Sequence, residues 1–334
     1  MWLCTGLFPP SQTLARHAHR FLQSRPRDPL APDCLQRLQA ILSAEPRQHP
    51  PHLAEVDAIQ QNSTQIFHKV HFPNETEDLF EVTSTTRIRE LCCNIATQLN
   101  LTSPDGYGLY MNTASKVITT PAVFLVSFMR KLWFNVIPGR DLTADLTFHF
   151  PQEMPKYLRG YHSCSREDMI ALAALLFRIL TDSDRSQFVM IPKMLNSLNI
   201  ISSYNKQVGI TADEARVRFL KIISSWPTYG CTFFEVKQTC EPSYPTNMRI
   251  AISKLGVSFI DPKTKELLVM HPFGRITDWQ SSNHHFHMTV GVLVKGTFSC
   301  ETPLGYKMED LLTSYISMYE KEREAVLPKI HMFS

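Results

Sequence analysis

Between positions 229 and 319, apolar and polar residues alternate in short runs that finally give way to a helical period. Residues 231–239 have the aromatic and β-branched content of a strand. Residues 248–253 alternate with period two, which predicts one face toward a core and the other toward water. Leu255-Gly256 predicts a tight turn into a strand at 257–260. Asp261-Pro-Lys-Thr264 predicts another turn, because Pro presets φ and Asp bonds its own backbone. Strands follow at 267–270, 275–279, 285–290 and 298–301, separated by Gly, Pro, Asn or Ser breaks. Past Gly305, Met308, Leu311, Leu312, Tyr315, Ile316 and Tyr319 fall at helical spacing, with Glu309, Asp310 and Ser314 between them.

About seven strands closed by an amphipathic helix is a PH- or PTB-like plan, a reader of peptides or lipids rather than an enzyme. Upstream the period changes more than once. Ser11 is placed to cap a helix with apolar positions Leu14, Ala18, Phe21 and Leu22. Residues 25–29 break it, and Asp33 with Gln36 forms a capping-box pattern ahead of Leu35, Leu38, Ile41 and Leu42. Two such short helices need a neighbour to pack on. After the Pro-rich stretch 45–52, a hairpin at 65–83 leads to a helix face of Ile88, Leu91, Cys92, Ile95 and Leu99. Strands at 107–111 and 116–118 complete a ubiquitin-like order. From 128 to 226 the pattern is mainly helical. Ser165 with Asp168 and Thr211 with Glu214 read as capping boxes, and the second opens a helix with Ala215, Phe219, Ile222, Ile223 and Trp226 on one face. Pro227 stops it.

Composition narrows the function classes. With 334 residues, 43% of them hydrophobic and 20 Phe, the chain has material for two or three packed cores. A formal net charge of +3 is too mild to predict nucleic-acid binding. No apolar run approaches the roughly 20 residues of a membrane span, and the first residues lack a basic leader. The eight cysteines (4, 34, 92, 93, 164, 231, 240 and 300) form no Cys-x-x-Cys pair. They read as reduced, buried thiols of a cytoplasmic protein.

Candidate chemistry is sparse. There is no phosphate-binding glycine motif. His284, His285 and His287 are the most metal-like cluster. On a strand, His285 and His287 share a face, with Cys300 on a neighbouring strand, but structural zinc wants four ligands, so they read as strand histidines. His162 with Cys164 reads as a loop rather than a nucleophilic dyad. No catalytic residue, cofactor or metal ligand is assigned. The groove between the closing helix and the nearest sheet edge is the main interaction candidate, by strand addition. Ile276, Trp279, Met308, Leu312 and Tyr315 are assigned to that groove or to the core beneath it, with Trp279 as the aromatic anchor. Arg130 and Lys131, with Lys156 and Arg159, are a candidate basic patch for acidic peptide or lipid, to be weighed against a plain solvated surface.

Several stretches resemble a known family. Leu7-Phe-Pro-Pro-Ser11, Arg20-Phe-Leu-Gln-Ser24 and Asp33-Cys-Leu-Gln-Arg-Leu38 are similar to the last helices of a myosin-tail homology domain. Pro50-Pro-His-Leu53, Gln65-Ile-Phe-His-Lys69, Phe128-Met-Arg-Lys-Leu-Trp133, Glu153-Met-Pro-Lys-Tyr-Leu-Arg-Gly160, Phe234-Glu-Val-Lys-Gln-Thr239 and Leu304-Gly-Tyr-Lys-Met308 resemble the tail of a class VII unconventional myosin. The ubiquitin-like, helical and PH-like order is that of a FERM domain. The resemblance implies an α+β, multi-lobed FERM-like fold. Its parts are a partial tail homology domain (1–50), a shortened ubiquitin-like lobe (58–136), a helical lobe (137–228), a PH/PTB-like barrel with its closing helix (229–323) and a tail (324–334). In the family a helix-bearing stretch separates the segments that 121–126 joins directly here, 196–207 is shorter than its counterpart, and 325–334 does not match the family's end.

The function implied is a non-catalytic, cargo- and partner-binding tail module of an actin-based motor. Its partners would be scaffold and adhesion-complex proteins of stereocilia or microvilli, together with the parent motor domain. The alternative is a FERM adaptor linking acidic membrane lipid or receptor tails to the actin cytoskeleton. In the family a basic pair late in the PH-like lobe holds the tail against the motor. Lys295 matches the first of that pair and the second is either replaced by Phe298 or lost, which implies weakened head contact.

Overall fold

The computed structural model describes residues 10–43, 53–61, 66–82, 86–113, 124–181, 197–207, 209–238, 240–291 and 296–330. Two units are present, Met1–Asn100 with Leu109–Phe128, and Leu101–Gly108 with Met129–Ser334.

In the first unit, helices α1 (Gln12–Gln23) and α2 (Ala31–Ser43) pack on each other through Ala18, Leu22, Ala31, Cys34 and Leu38. Ser11 Oγ accepts from the Leu14 amide and so caps α1 as expected. The buried face differs from the expectation: it is Ala15, Ala18 and Leu22, while Leu14 and Phe21 stand exposed. Ala18, Ala31 and Cys34 line the contact together with Leu22 and Leu38, and Leu14 and Phe21 fall outside it. Asp33 is not a cap either. The helix has already begun at Ala31, and Asp33 instead pairs with Arg37 one turn on.

After α3 (Leu53–Gln60) come β1 (Ile66–His71), β2 (Glu77–Val82), α4 (Ile88–Gln98), β3 (Tyr107–Thr113) and β4 (Phe124–Arg130), forming a sheet of order β2-β1-β4-β3. The strand expected at 116–118 lies outside the described residues. The helical character expected from 128 onward is corrected: Phe124–Arg130 is a strand, parallel to β1 with Val126 beside Val70. Aromatic and branched residues suit a pleated surface, and β1 offers an edge that only tertiary pairing reveals.

The second unit holds the helical lobe. A short helix at Leu142–Ala144 runs through a π-helical turn at Asp145–His149 into α5 (Phe150–Leu158). Then come α6 (Arg166–Thr181), α7 (Ser197–Asn205) and α8 (Ala212–Ile223). The Thr211–Glu214 capping box opens α8 in both directions. At α6 the Ser165 hydroxyl accepts from the Asp168 amide. Phe150, Leu172, Leu175, Phe219, Leu220 and Ile223 form this lobe's core.

The same unit carries seven antiparallel strands: β5 (Thr232–Gln238), β6 (Asn247–Ser253), β7 (Gly256–Ile260), β8 (Leu267–His271), β9 (Ile276–Ser281), β10 (His285–Val290) and β11 (Gly296–Glu301). Their order is β8-β7-β6-β5-β11-β10-β9, so β8 and β9 are the edges. Helix α9 (Gly305–Ile330) closes the sheet through Met308, Leu311, Leu312, Tyr315 and Ile316, whereas Tyr319 is 37% exposed. The one-sided burial expected of β6 is not found. Six of its seven residues are buried: on the outer face Ala251 packs with Cys231, Ile260 and Phe233, and Tyr161 lies ring to ring with Phe233 and beneath the Arg249 guanidinium.

At Gly230 close approach of a side chain dictates glycine. Gly230 has φ +70°, and a Cβ there would lie 2.7 Å from Trp133 Cβ. Gly230→Ala should therefore cost about 2–4 kcal/mol, combining left-handed strain with overpacking. Gly209→Ala, also at positive φ but with nothing within 4 Å, should show the backbone contribution alone. Urea midpoints of the two variants give the comparison, and equal losses would refute the steric argument.

Candidate functional site

The edge strand β9 and helix α9 lie side by side and are joined by side chains. The Trp279 indole N–H donates to Thr313 Oγ1 at 2.9 Å, carrying the ring from strand to helix. Glu309 Oε2 accepts from the Ser281 amide at 2.9 Å and also from its hydroxyl. The Ser281 N–H therefore points away from β10. By the two-residue repeat of an antiparallel strand, the Trp279 backbone polar groups also face outward. Glu309 thus caps one of the edge amides that an added strand would use.

Four of the five groove candidates lie beneath this strip. Met308, Leu312 and Tyr315 are fully buried and Ile276 nearly so, all within the barrel core. All four belong to one buried cluster with Phe273, Phe286 and Met288. Tyr315 stacks on Phe273 with centroids 5.7 Å apart, and its hydroxyl accepts from the Trp133 amide. Trp279 alone is half-buried and reaches the surface.

The basic-patch candidates disperse. Arg130 donates through Nη1 to Asp105 O and through Nη2 to Phe134 O, with its guanidinium over the Tyr107 ring. Lys131 pairs with Asp310 of α9 at 2.7 Å. Lys156 pairs with Glu153 at 2.5 Å and lies over Trp133. Only Arg159 is a simple exposed charge. The first three fasten the segment after β4 and the end of α5 to their surroundings, a role that sequence spacing does not display. Lys295 lies outside the described residues. Phe298 is buried against Phe259, so its place is in the sheet core.

A buried polar cluster was missed from the sequence. Glu153 is wholly enclosed. Burial pushes its carboxyl above the usual carboxylate range, opposed by Lys156. His162 lies near it, Nε2 to carboxylate 3.7 Å, and its Nδ1 meets Thr228 Oγ1 at 2.8 Å. With Thr228 donating, the ring proton sits on Nε2 and faces Glu153. Trp226 and Phe233 enclose the imidazole. The alternation Glu153-x-x-Lys156 was the available signal, but it looks like any surface helix pair.

Burial, reinforced by Lys156 and Lys265, lowers the His162 pKa to about 3. The folded state therefore favours neutral imidazole. Its stabilisation is complete above the unfolded value of about 6.5 and is lost as pH falls toward about 3. His162→Phe should flatten the stability profile between those limits, read as urea midpoint against pH. An unchanged slope would remove His162 from the acid response.

The exposed histidines do not assemble a metal site. His285 and His287 share the outer face of β10, rings nearly parallel at 6.2 Å. Cys300 pairs with Phe286 in register and so faces the core, away from them. Among the described residues, no three His, Cys, Asp or Glu side chains are grouped to hold a metal ion. Of the cysteines, Cys34, Cys231 and Cys300 are buried free thiols, but Cys93 and Cys240 are exposed. No helix among the described residues is long and apolar enough to cross a membrane.

Comparison with known proteins matches three family models: the MyTH4 domain over residues 1–58, the FERM central domain over 140–234 and the PTB domain (IRS-1 type) over 234–319. The chain is 46% identical to Myosin-VIIa of Drosophila melanogaster and 44% identical to Unconventional myosin-VIIb of Mus musculus, each over 95% of its length. It spans only 17% of either relative. Among solved structures it is similar to the human Myosin 7b C-terminal MyTH4-FERM domain in complex with harmonin-a PDZ3 domain. That match has 44% identity and a TM-score of 0.83, and covers 95% of this chain and 74% of that one.

Proposed function

The chain belongs to the C-terminal MyTH4-FERM tails of class VII myosins, and from that premise we propose that it is the partner-docking end of an actin-based motor, without catalysis of its own. The observation that carries this reading is the β9 edge beside α9, on a lobe matched by a PTB model. An extended peptide adding to β9 would bond the outward Trp279 backbone and rest on the indole, so that main chain gives affinity and side chains give specificity.

The partner class follows from the human relative, which was solved with a scaffold PDZ domain. Scaffold and adhesion-complex proteins of actin-rich protrusions are therefore the proposed partners, with the cytoplasmic actin cytoskeleton as the place of action. The lipid-adaptor alternative has less support, since Arg130, Lys131 and Lys156 are engaged internally. Titration of harmonin-a PDZ3 into the full chain by calorimetry tests the reading. Binding is expected; none, where the human domain binds in parallel, would overturn it.

A further inference from the structure

Charge along the β9 edge restricts what can add to it. All seven strands and α9 are present in this lobe, and the PTB model runs from β5 into α9, so the open side of β9 is a sheet edge and not the seat of an absent strand. From Ile276 to Val290, across β9, its turn and β10, there is one Asp and no Lys or Arg. That residue, Asp278, is exposed, forms no ion pair among the described residues, and faces the opposite side of the strand from Trp279. On α9, Thr313 marks the side toward β9, because its hydroxyl takes the Trp279 indole proton. Around the helix, Glu309 and Glu320 lie within about 40° of Thr313, whereas Lys307 and Lys321 are about 80° or more away. Glu309 accepts only from the neutral donors of Ser281, so its charge is uncompensated. Glu320 is exposed. Arg275, just before β9, is close enough to His271 to add to burial in lowering that imidazole's pKa.

We propose, on the footing of the β9 reading, that the peptide added at this edge is a basic one. Its Lys or Arg side chains would lie beside Asp278 on one face of the new strand and beside Glu320 on the other. An acidic or phosphorylated peptide would meet no Lys or Arg between 276 and 290 or on the facing side of α9, and the carboxylates there would repel it.

The test selects displayed random peptides of about 12 residues, long enough to form a strand, on the full chain. Enriched peptides are then labelled with fluorescein and titrated by anisotropy. Peptides of net positive charge whose binding falls with Trp279→Ala are expected. Replacing their Lys and Arg by Glu should weaken binding about 10-fold or more. Asp278→Asn with Glu320→Gln should weaken it about 5-fold and reduce the loss between about 50 mM and about 300 mM KCl. Glu309 is left in place, because its removal would also free the Ser281 amide. Trp279-dependent peptides of neutral or negative charge, or no response to the two carboxylate substitutions, would overturn the charge preference and leave the β9 reading standing. If no enriched peptide depends on Trp279, the β9 reading fails and the preference falls with it. Should Trp279→Ala melt early, the 5-fluorotryptophan signal of Trp279 in the otherwise unaltered chain, assigned with Trp279→Phe, decides dependence by whether it shifts on binding.

Discussion

Lys156→Met should destabilise the second unit by about 3–5 kcal/mol, because it leaves the enclosed Glu153 carboxylate without its counter-charge. A water-exposed ion pair would cost no more than about 1 kcal/mol. Lys156 is 17% exposed at its side chain and Glu153 not at all, which places the pair among the buried ones. The loss should shrink as pH falls. In the folded variant the neutral carboxyl is preferred, so the cost applies above the folded pKa and disappears below the unfolded value of about 4.5. Glu153→Leu with Lys156→Met should recover most of the stability, since an apolar pair leaves no charge to desolvate. Urea unfolding of the two variants at neutral and acid pH reads all of this. A single-variant loss below about 1 kcal/mol would show that water reaches Glu153.

Trp279→Ala should weaken partner binding at the β9 edge by about 30-fold, the cost of truncating an aromatic anchor worth about 2 kcal/mol. Thr313→Val keeps the ring but removes its hydrogen bond, and should weaken binding only a few-fold. Glu309→Ala should act in the opposite direction. It releases the Ser281 amide and lengthens the free edge by one bonding position, about 1 kcal/mol or 5-fold in affinity. Calorimetric titration with harmonin-a PDZ3 measures the three together. Undiminished binding by Trp279→Ala would move the docking surface elsewhere on the chain. Thermal melts accompany each variant, because Trp279 also ties β9 to α9.

By itself, the sequence determined the elements whose period is local. The seven strands of the barrel, the closing helix and the Thr211–Glu214 cap follow from alternation, from the change to helical spacing and from residues three apart. Spacing says which side chains share a face, and it is silent on what covers that face. Only the tertiary structure decided that β6 is covered on both sides, by Phe233, Ile260 and Tyr161 as well as by the core, and that Phe124–Arg130 completes a sheet. Tertiary packing likewise made core of Met308, Leu312 and Tyr315 while Trp279 stayed within reach of a ligand. The charges show the same division. Lys131 and Arg130 look like a basic pair along the chain, yet their partners, Asp310 of α9 and the carbonyls of Asp105 and Phe134, are chosen by packing. Burial then sets the energetics, as it does for Glu153 and His162, because removal from water is a property of the folded surroundings and not of the residue.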